Sequence, residues 1–273
     1  YGSGKSHLAK MLRTLWTDYQ FADGATARSL AKLPTGVFEQ LRELSIQGRR
    51  HGGLHAAAGK LGAGAGNNVR LALLGVIFKA KALPAQYNQA QLHMWLQREG
   101  ILDAVRADLL AEGRTLDKVL PEMYVSKELA QSLLKHRPDL AANQKDLRLI
   151  LKNQFPEVAD ISSDQMVAAI EAALMVDGKI PLTLIVLDEV QQYIGSDAEK
   201  SFQVQEVTET LSKHFNGKLL FVSTGQSALS GTPTLQRLMG RFPVQVMLGD
   251  WDVENVTRQI ILAKKPSAQP QVE

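Results

Sequence analysis

The order of apolar and polar positions along the chain predicts strands that alternate with helices. Apolar runs at 182–187 and 218–223 have the length of buried strands, residues 53–60 form an extended pattern, and 244–248 is predicted as a further strand. Ser162 and Gln165 have the spacing of a capping box, and helical periodicity follows them. The apolar stretch 68–80 fits a buried helix or a buried strand, and we favour the helix. The other predicted helices are 6–16, 34–50, 86–120 with a break at Gly100, 126–135, 140–155, 198–215, 232–239 and 252–262.

This alternation is typical of a three-layer α/β domain with a mostly parallel sheet. The two most informative chemical motifs, near residues 5 and 188, lie far apart for one compact core. We therefore predict a helical insertion at 86–158 that projects from the core and contacts partners. The core would comprise residues 1–85 and 159–263, and residues 264–273 would form a polar tail.

Composition narrows the class of protein without identifying a function. Apolar residues make up 45% of the 273 positions and charged residues 22%, as in ordinary soluble domains, and no apolar run has transmembrane length. The lack of cysteine excludes disulfides, thiol chemistry and Cys-bound zinc, and agrees with the cytoplasmic location that we expect. The N-terminus shows no cleavable signal pattern. The chain starts at Tyr1 rather than Met, so we expect a fragment.

One stretch of the chain concentrates positive charge although the net charge is only +3. Residues 44–98 contain no Asp or Glu and are rich in glycine, which would suit a surface that meets the phosphates of a nucleotide or of DNA. Alternatively, acidic residues elsewhere in the fold balance these cations, and the scarcity of aromatic residues favours that interpretation. The cations are Arg49, Arg50, Lys60, Arg70, Lys79, Lys81 and Arg98.

Gly4-Lys5-Ser6 matches the end of a phosphate-binding P-loop. The first glycine of that pattern would stand two positions before Tyr1, after a strand that lies further upstream. Glycines let backbone N–H groups surround phosphate oxygens, Lys5 offers a charge to the β- and γ-phosphates, and the Ser6 hydroxyl can ligate Mg²⁺. A chance turn is the alternative. The assigned nucleotide contacts are Gly2, Ser3, Gly4, Lys5, Ser6 and His7, and we expect His7 to pack beneath the loop.

Two carboxylates follow the apolar run 182–187 and supply the partner motif that a P-loop needs. Asp188 stands where P-loop enzymes hold Mg²⁺, and Glu189 stands where a general base polarises the attacking water. A solvated acidic turn is the alternative. Given the Gly-Lys-Ser string upstream, we assign Ser6 and Asp188 as Mg²⁺ ligands and Glu189 as the base.

Polar residues beside the next two predicted strands complete the candidate site. Thr224 follows the strand at 218–223, where a hydroxyl can sense the γ-phosphate, and a simple turn is the alternative. Arg241 precedes the strand at 244–248, a place from which arginine reaches the γ-phosphate of a neighbouring subunit. A surface salt bridge is the alternative for this arginine. Neighbouring candidates are Ser223 and Gln226 for the sensor and Arg237 for the arginine; the histidines form no metal-binding group.

Together these residues resemble an AAA+-type P-loop ATPase, and more narrowly the large ATPase component (BrxC/PglY type) of bacteriophage-exclusion (BREX) systems. The resemblance spans most of this chain but only the N-terminal ATPase region of the longer family proteins. It implies an AAA+/ASCE-like three-layer sheet whose first strand is missing here. The matching strings are Tyr1-Gly2-Ser3-Gly4-Lys5-Ser6-His7-Leu8, Leu187-Asp188-Glu189-Val190-Gln191-Gln192-Tyr193-Ile194-Gly195, Ser223-Thr224-Gly225-Gln226, Arg241-Phe242-Pro243 and Asp252-Val253-Glu254-Asn255-Val256.

The resemblance further implies that ATP hydrolysis with Mg²⁺ drives a phage-defence complex containing further copies of this chain and other subunits, with no membrane. The truncated loop and the absence of a recognisable lid domain depart from that pattern. Two other functions stay open: a nucleotide-dependent assembly switch with little hydrolysis, and a DNA-binding module that uses the basic stretch 44–98. Glu189 favours the enzyme over the switch, because a switch has less need of a base.

Overall fold

Three parallel strands form the sheet of this protein, whose computed structural model describes residues 4–61, 68–195, 197–225, 240, 242 and 244–246. The strands are β1 Leu54–Lys60, β2 Leu182–Asp188 and β3 Leu219–Ser223, in the spatial order β1-β2-β3. The register pairs Lys60 with Asp188 and Leu187 with Ser223. The carboxyl ends of the strands therefore lie side by side at one edge of the sheet, where ligands of parallel sheets commonly bind.

Helices cover both faces of this sheet, which explains why the central strand β2 is apolar on both sides. On one face, Ala9 of α1 (Lys5–Thr17) packs against Leu184 and Val186 of β2. The indole of Trp16 also donates to the carbonyl oxygen of Leu182 at 3.1 Å. On the other face, α4 (Val69–Ala80) packs against β1 and α12 (Ala198–His214) packs against β3, while α10 (Ser163–Leu174) packs against α4 and α12. Buried residues of these three helices form one cluster with Ala57, Ile185 and Leu187. The α/β layering with a parallel sheet is as predicted.

Helix α4 lies so deep in the core that its sequence carries little amphipathic pattern. Almost every residue from Val69 to Phe78 is buried, Arg70 being the exception. At Gly59 in β1 an added Cβ would lie 2.9 Å from a methyl carbon of Val76, so the helix and the strand approach more closely than a side chain would allow. A helix that is apolar all round is expected in such a place.

A second apolar cluster belongs to the helices between β1 and β2. These are α5 (Tyr87–Arg98), α6 (Leu102–Ala111), α7 (Leu116–Val119) with a 3₁₀ turn at Leu120–Glu122, α8 (Lys127–His136) and α9 (Gln144–Gln154). Their buried residues form a cluster of their own, while Ala90 of α5 belongs to the cluster beneath the sheet. The division of the chain at 86 and 158, and the role of this segment in partner contacts, stay predictions.

The helices and strands differ from the prediction in a few places. The predicted break at Gly100 within 86–120 is confirmed, and the stretch is divided a second time at Gly113; both glycines have positive φ. The described residues include three further helices: the predicted α3 (Thr35–Arg50), and two that the sequence did not predict, α2 (Ala27–Leu30) and α11 (Val190–Ile194).

The strand predicted at 244–248 is wrong over 244–246, the part of it that the structure describes. Val244 and Val246 are 79% and 71% exposed, so their apolar alternation covers no core there. The helices predicted at 232–239 and 252–262 and the tail at 264–273 lie outside the described residues.

Candidate functional site

Two residues from distant parts of the chain converge on the carboxylate of Asp188 at the carboxyl edge of the sheet. Ser6, in the first turn of α1, donates its hydroxyl to Oδ2 of Asp188 at 2.9 Å. Thr224, directly after β3, donates its hydroxyl to Oδ1 of the same carboxylate. Ser6 and Asp188 lie 182 positions apart in sequence. Both oxygens of Asp188 therefore hold hydroxyl groups of residues that the sequence assigned to one nucleotide site.

Thr224 is fixed by its backbone as well as by its side chain. Its N–H donates to the carbonyl oxygen of Leu187 at 3.0 Å, and its carbonyl oxygen accepts from the N–H of Val190 at 3.3 Å. The Thr224 hydroxyl accepts from the N–H of Glu189 at 3.0 Å while it donates to Asp188. Thr224 thus joins the end of β3 to the turn that follows β2.

Glu189 occupies a conformation that non-glycine residues seldom adopt. Its φ of 55° and ψ of 42° lie in the left-handed region, at the N-cap of the short helix α11. Such a conformation costs on the order of 1–3 kcal/mol and persists only where surrounding contacts enforce it. Here the hydrogen bond from the Glu189 N–H to Thr224 supplies such a contact. The backbone at the predicted base is consequently held by the predicted sensor residue.

The carboxylate of Glu189 is bound by Lys60, the last residue of β1. The Lys60 side chain is 55% exposed and that of Glu189 26% exposed. A hydrogen bond to Glu189 and the charge of that carboxylate raise the pKa of Lys60 above its ordinary value. Sequence reasoning named Lys60 only as part of the basic stretch. The signal that could have found it is the parallel register, which pairs the last residue of β1 with Asp188.

The described end of the Gly-Lys-Ser string forms the start of α1. Gly4 is the N-cap of α1 with φ 72°, and its carbonyl oxygen accepts from the N–H of Leu8 at 2.8 Å. Among the described residues, no side chain caps this helix and no acidic residue lies in its first turn, so its positive end is suited to an anion. Lys5 is the first residue of the helix and is half-buried. Gly2 and Ser3 lie outside the described residues.

The expectation that His7 packs beneath the loop is wrong. His7 is exposed, whereas Ala9, Leu12 and Trp16 face the sheet at helical spacing. A residue two positions before Ala9 projects from nearly the opposite side of the helix, which directs His7 toward solvent.

The other predicted site residues are only partly covered by the structure. Ser223 ends β3 and is half-buried. Arg241, its neighbouring candidate Arg237 and Gln226 lie outside the described residues, and so do positions 62–67 of the glycine-rich loop.

The donor set at Asp188 fits Mg²⁺. Two oxygen ligands on adjacent corners of an octahedron with metal–oxygen distances of about 2.0–2.1 Å lie roughly 2.9 Å apart. The Ser6 and Asp188 oxygens have that separation. In the described part of the chain no three His, Asp or Glu side chains group as metal ligands. Mg²⁺ commonly takes one or two protein ligands and completes its shell with phosphates and water.

Acidic residues from elsewhere in the fold balance part of the basic stretch. Lys60 binds Glu189, and the guanidinium of Arg70 lies 3.4 Å from Asp160 and 3.1 Å from Glu206. Exposed cations at the end of α3 are Arg49 and Arg50.

No family model, curated protein or solved structure matches this chain. Among the helices of the described residues, none combines the length and the apolar character that a membrane crossing requires. The site is therefore interpreted from its own geometry.

Proposed function

We propose that this protein is a P-loop ATPase that binds ATP with Mg²⁺ and hydrolyses it at the carboxyl edge of the sheet. The observation that carries the proposal is the shared carboxylate of Asp188, which holds the hydroxyls of Ser6 and Thr224. The meeting of a Gly-Lys-Ser string, an acidic strand end and a candidate sensor hydroxyl at one carboxylate supports this proposal over chance turns. An AAA+/ASCE-like arrangement of the sheet is part of the proposal.

Each residue of the site has a distinct task in this mechanism. Lys5 and the N-terminus of α1 bind the phosphates, and Ser6 with Asp188 would hold Mg²⁺, which supplies charge neutralisation. Glu189 accepts a proton from the water that attacks the γ-phosphorus. As the new P–O bond forms, the bond to the bridging oxygen of ADP breaks, and the proton of the water is on the carboxylate. Thr224 donates its hydroxyl to the γ-phosphate.

A switch with slow hydrolysis is the second candidate, and the ion pair between Glu189 and Lys60 favours it. The ammonium group of Lys60 occupies an acceptor site on Oε2 of Glu189 and competes there with a water molecule. In that case ATP binding would control the assembly of subunits, and ATP hydrolysis would require the ion pair between Glu189 and Lys60 to break. The DNA-binding alternative depends on Arg49 and Arg50, since Lys60 and Arg70 are already paired.

The place of this ATPase in a phage-defence complex of the BREX type rests on sequence resemblance. The proposal includes assembly of several copies in the cytoplasm, with Arg241 reaching the γ-phosphate of a neighbouring subunit.

The test is Mg²⁺-dependent ATP turnover by the full-length natural protein, beside Glu189→Gln and the matched control Glu39→Gln, an exposed glutamate of α3. We expect turnover in the parent and the control, and ATP binding without turnover in Glu189→Gln. ATP binding with no turnover in any of the three would favour the switch. Absence of ATP binding in the parent would refute the phosphate-loop interpretation.

A further inference from the structure

Gln191, in the short helix α11 two residues after Glu189, has a side chain buried without hydrogen bonds. The residue is 4% exposed. Neither its Oε1 nor its Nε2 has a hydrogen-bond partner in the part of the chain that the structure describes. Buried amides are nearly always paired, because an unpaired one carries the full cost of its desolvation. An unpaired group in a native structure beside a functional site is a candidate for a role in another state of that site.

The backbone of Gly225 lies close to this amide. A Cβ added to Gly225 would lie 3.3 Å from Oε1 and 3.9 Å from Cδ of Gln191. No side chain of Gly225 stands between its backbone and the amide. A carboxamide offers one acceptor oxygen and two N–H donors, which complement the C=O and N–H of a backbone residue. Gln191 is therefore suited to bind the chain at Gly225 after a small displacement.

The hydrogen bonds of Thr224, which precedes Gly225, supply a reason for such a displacement. A hydroxyl has one proton to donate, and Thr224 gives it to Asp188 in the structure. It cannot donate to the γ-phosphate at the same time. When Asp188 binds Mg²⁺ and the Thr224 hydroxyl donates to the γ-phosphate, the chain at Thr224 and Gly225 loses the hydrogen bond to Asp188. A new hydrogen bond at Gly225 would replace it.

Resting on the proposed function, we propose that Gln191 is a positioning residue that binds the backbone of Gly225 when ATP occupies the site. It thereby holds Thr224 on the γ-phosphate and, through the hydrogen bond from the Glu189 N–H to Thr224, keeps the base in place. The amide is paired only in the ATP state, so its bonds favour ATP over ADP, which has no γ-phosphate. The result is a two-state element whose equilibrium the γ-phosphate shifts.

The test replaces Gln191 by methionine, which keeps the length of the side chain and removes its polar atoms. The exposed neighbour Gln192→Met is the matched control. Gly225→Ala is a second variant, because its methyl group would crowd Oε1. The measurements are the thermal unfolding midpoint without nucleotide and the Kd values for MgATP and MgADP, on full-length protein with non-hydrolysing conditions for ATP.

We expect Gln191→Met to leave the nucleotide-free midpoint unchanged or to raise it, since replacing an unpaired buried amide by an apolar group is neutral or stabilising. The preference for ATP over ADP should fall about tenfold, as expected for the loss of a hydrogen bond made in one state only. Gly225→Ala should reduce the same preference, and Gln192→Met should keep it.

Three results would overturn the proposal, and they can be distinguished from one another. If the parent binds ATP and Gln191→Met keeps the parent's ratio of ATP to ADP affinity, the role of Gln191 is refuted and the ATPase proposal stands. If Gln191→Met lowers the nucleotide-free midpoint and weakens both nucleotides equally, the amide is structural and the role is again refuted. If the parent binds no ATP, the proposed function is refuted and this role with it.

Discussion

Replacing Thr224 by valine tests the junction that joins the two strand ends. Valine has nearly the shape of threonine, so the substitution removes the hydroxyl and little else. Two hydrogen bonds are lost, the one donated to Asp188 and the one accepted from the N–H of Glu189. The Glu189 N–H is then left without its partner at a residue whose left-handed backbone depends on that contact.

The expected loss of stability follows from the two partners. A hydrogen bond to a charged group contributes about 1.5–3 kcal/mol and one between neutral groups about 0.5–1.5 kcal/mol. Thr224 and Asp188 are half-buried, so water can replace part of each bond. The lower part of the summed range applies, and we expect the free energy of unfolding to fall by about 2–3 kcal/mol.

The assay is urea unfolding followed by circular dichroism, with two comparison variants. Thr224→Ser keeps a hydroxyl and should recover most of the loss. Thr208→Val removes a hydroxyl that donates to the carbonyl oxygens of Val204 and Gln205 within α12, and should cost less than about 1 kcal/mol. A Thr224→Val variant as stable as Thr208→Val would refute the junction as described.

Three further substitutions test other parts of the structure. Arg28→Leu should lower the free energy of unfolding, measured in urea, by about 3–5 kcal/mol. The reason is that the buried guanidinium donates to three carbonyl oxygens, two of them at the end of α1, and to a serine hydroxyl. A loss no larger than that of Thr208→Val would contradict this prediction. Hydrogen bonds from Lys135, Ser132 and His136 lower the pKa of Asp108 to about 2. A carboxyl with a depressed pKa stabilises the fold at pH values above its pKa in the unfolded chain, near 4, and this stabilisation is lost as the pH falls toward 2. Asp108→Asn should therefore be less stable than the parent at pH 7 and about equal to it near pH 2. A difference in thermal unfolding that does not change with pH would count against this prediction. Lys60→Met should raise ATP turnover by freeing the Glu189 carboxylate, with little change in stability because exposed pairs contribute little; lowered turnover would show that Lys60 assists the base.

Local patterns predicted those parts of the structure that depend on neighbours in sequence. The capping box at Ser162 and Gln165 is formed, and its helix α10 begins where that box places it. The approach of Thr224 to Asp188 was also predictable, because parallel strands end at a common edge and both residues stand at strand ends.

Structural features that depend on contacts between residues far apart in sequence could not be predicted from local patterns. The pairing of Lys60 with Glu189 requires the register between β1 and β2, which no local pattern supplies. The positive φ of Glu189 depends on the hydrogen bond to Thr224, 35 positions later. The stretch at 68–80 fitted a helix or a strand because burial on nearly every side removes the periodicity that separates the two.

The separation of β1 from β2 along the chain has a consequence for the order of folding. Lys60 and Glu189 are 129 positions apart, and closing a long loop costs conformational entropy before the strands gain any contact. Helices α5 to α9 form a cluster of their own within that loop, largely from contacts that are local in sequence. Local contacts form fast and distant strand pairs slowly, so we expect these helices to form first and to shorten the remaining loop. The edge that carries Asp188 would then be among the last regions to assemble as a newly made chain folds.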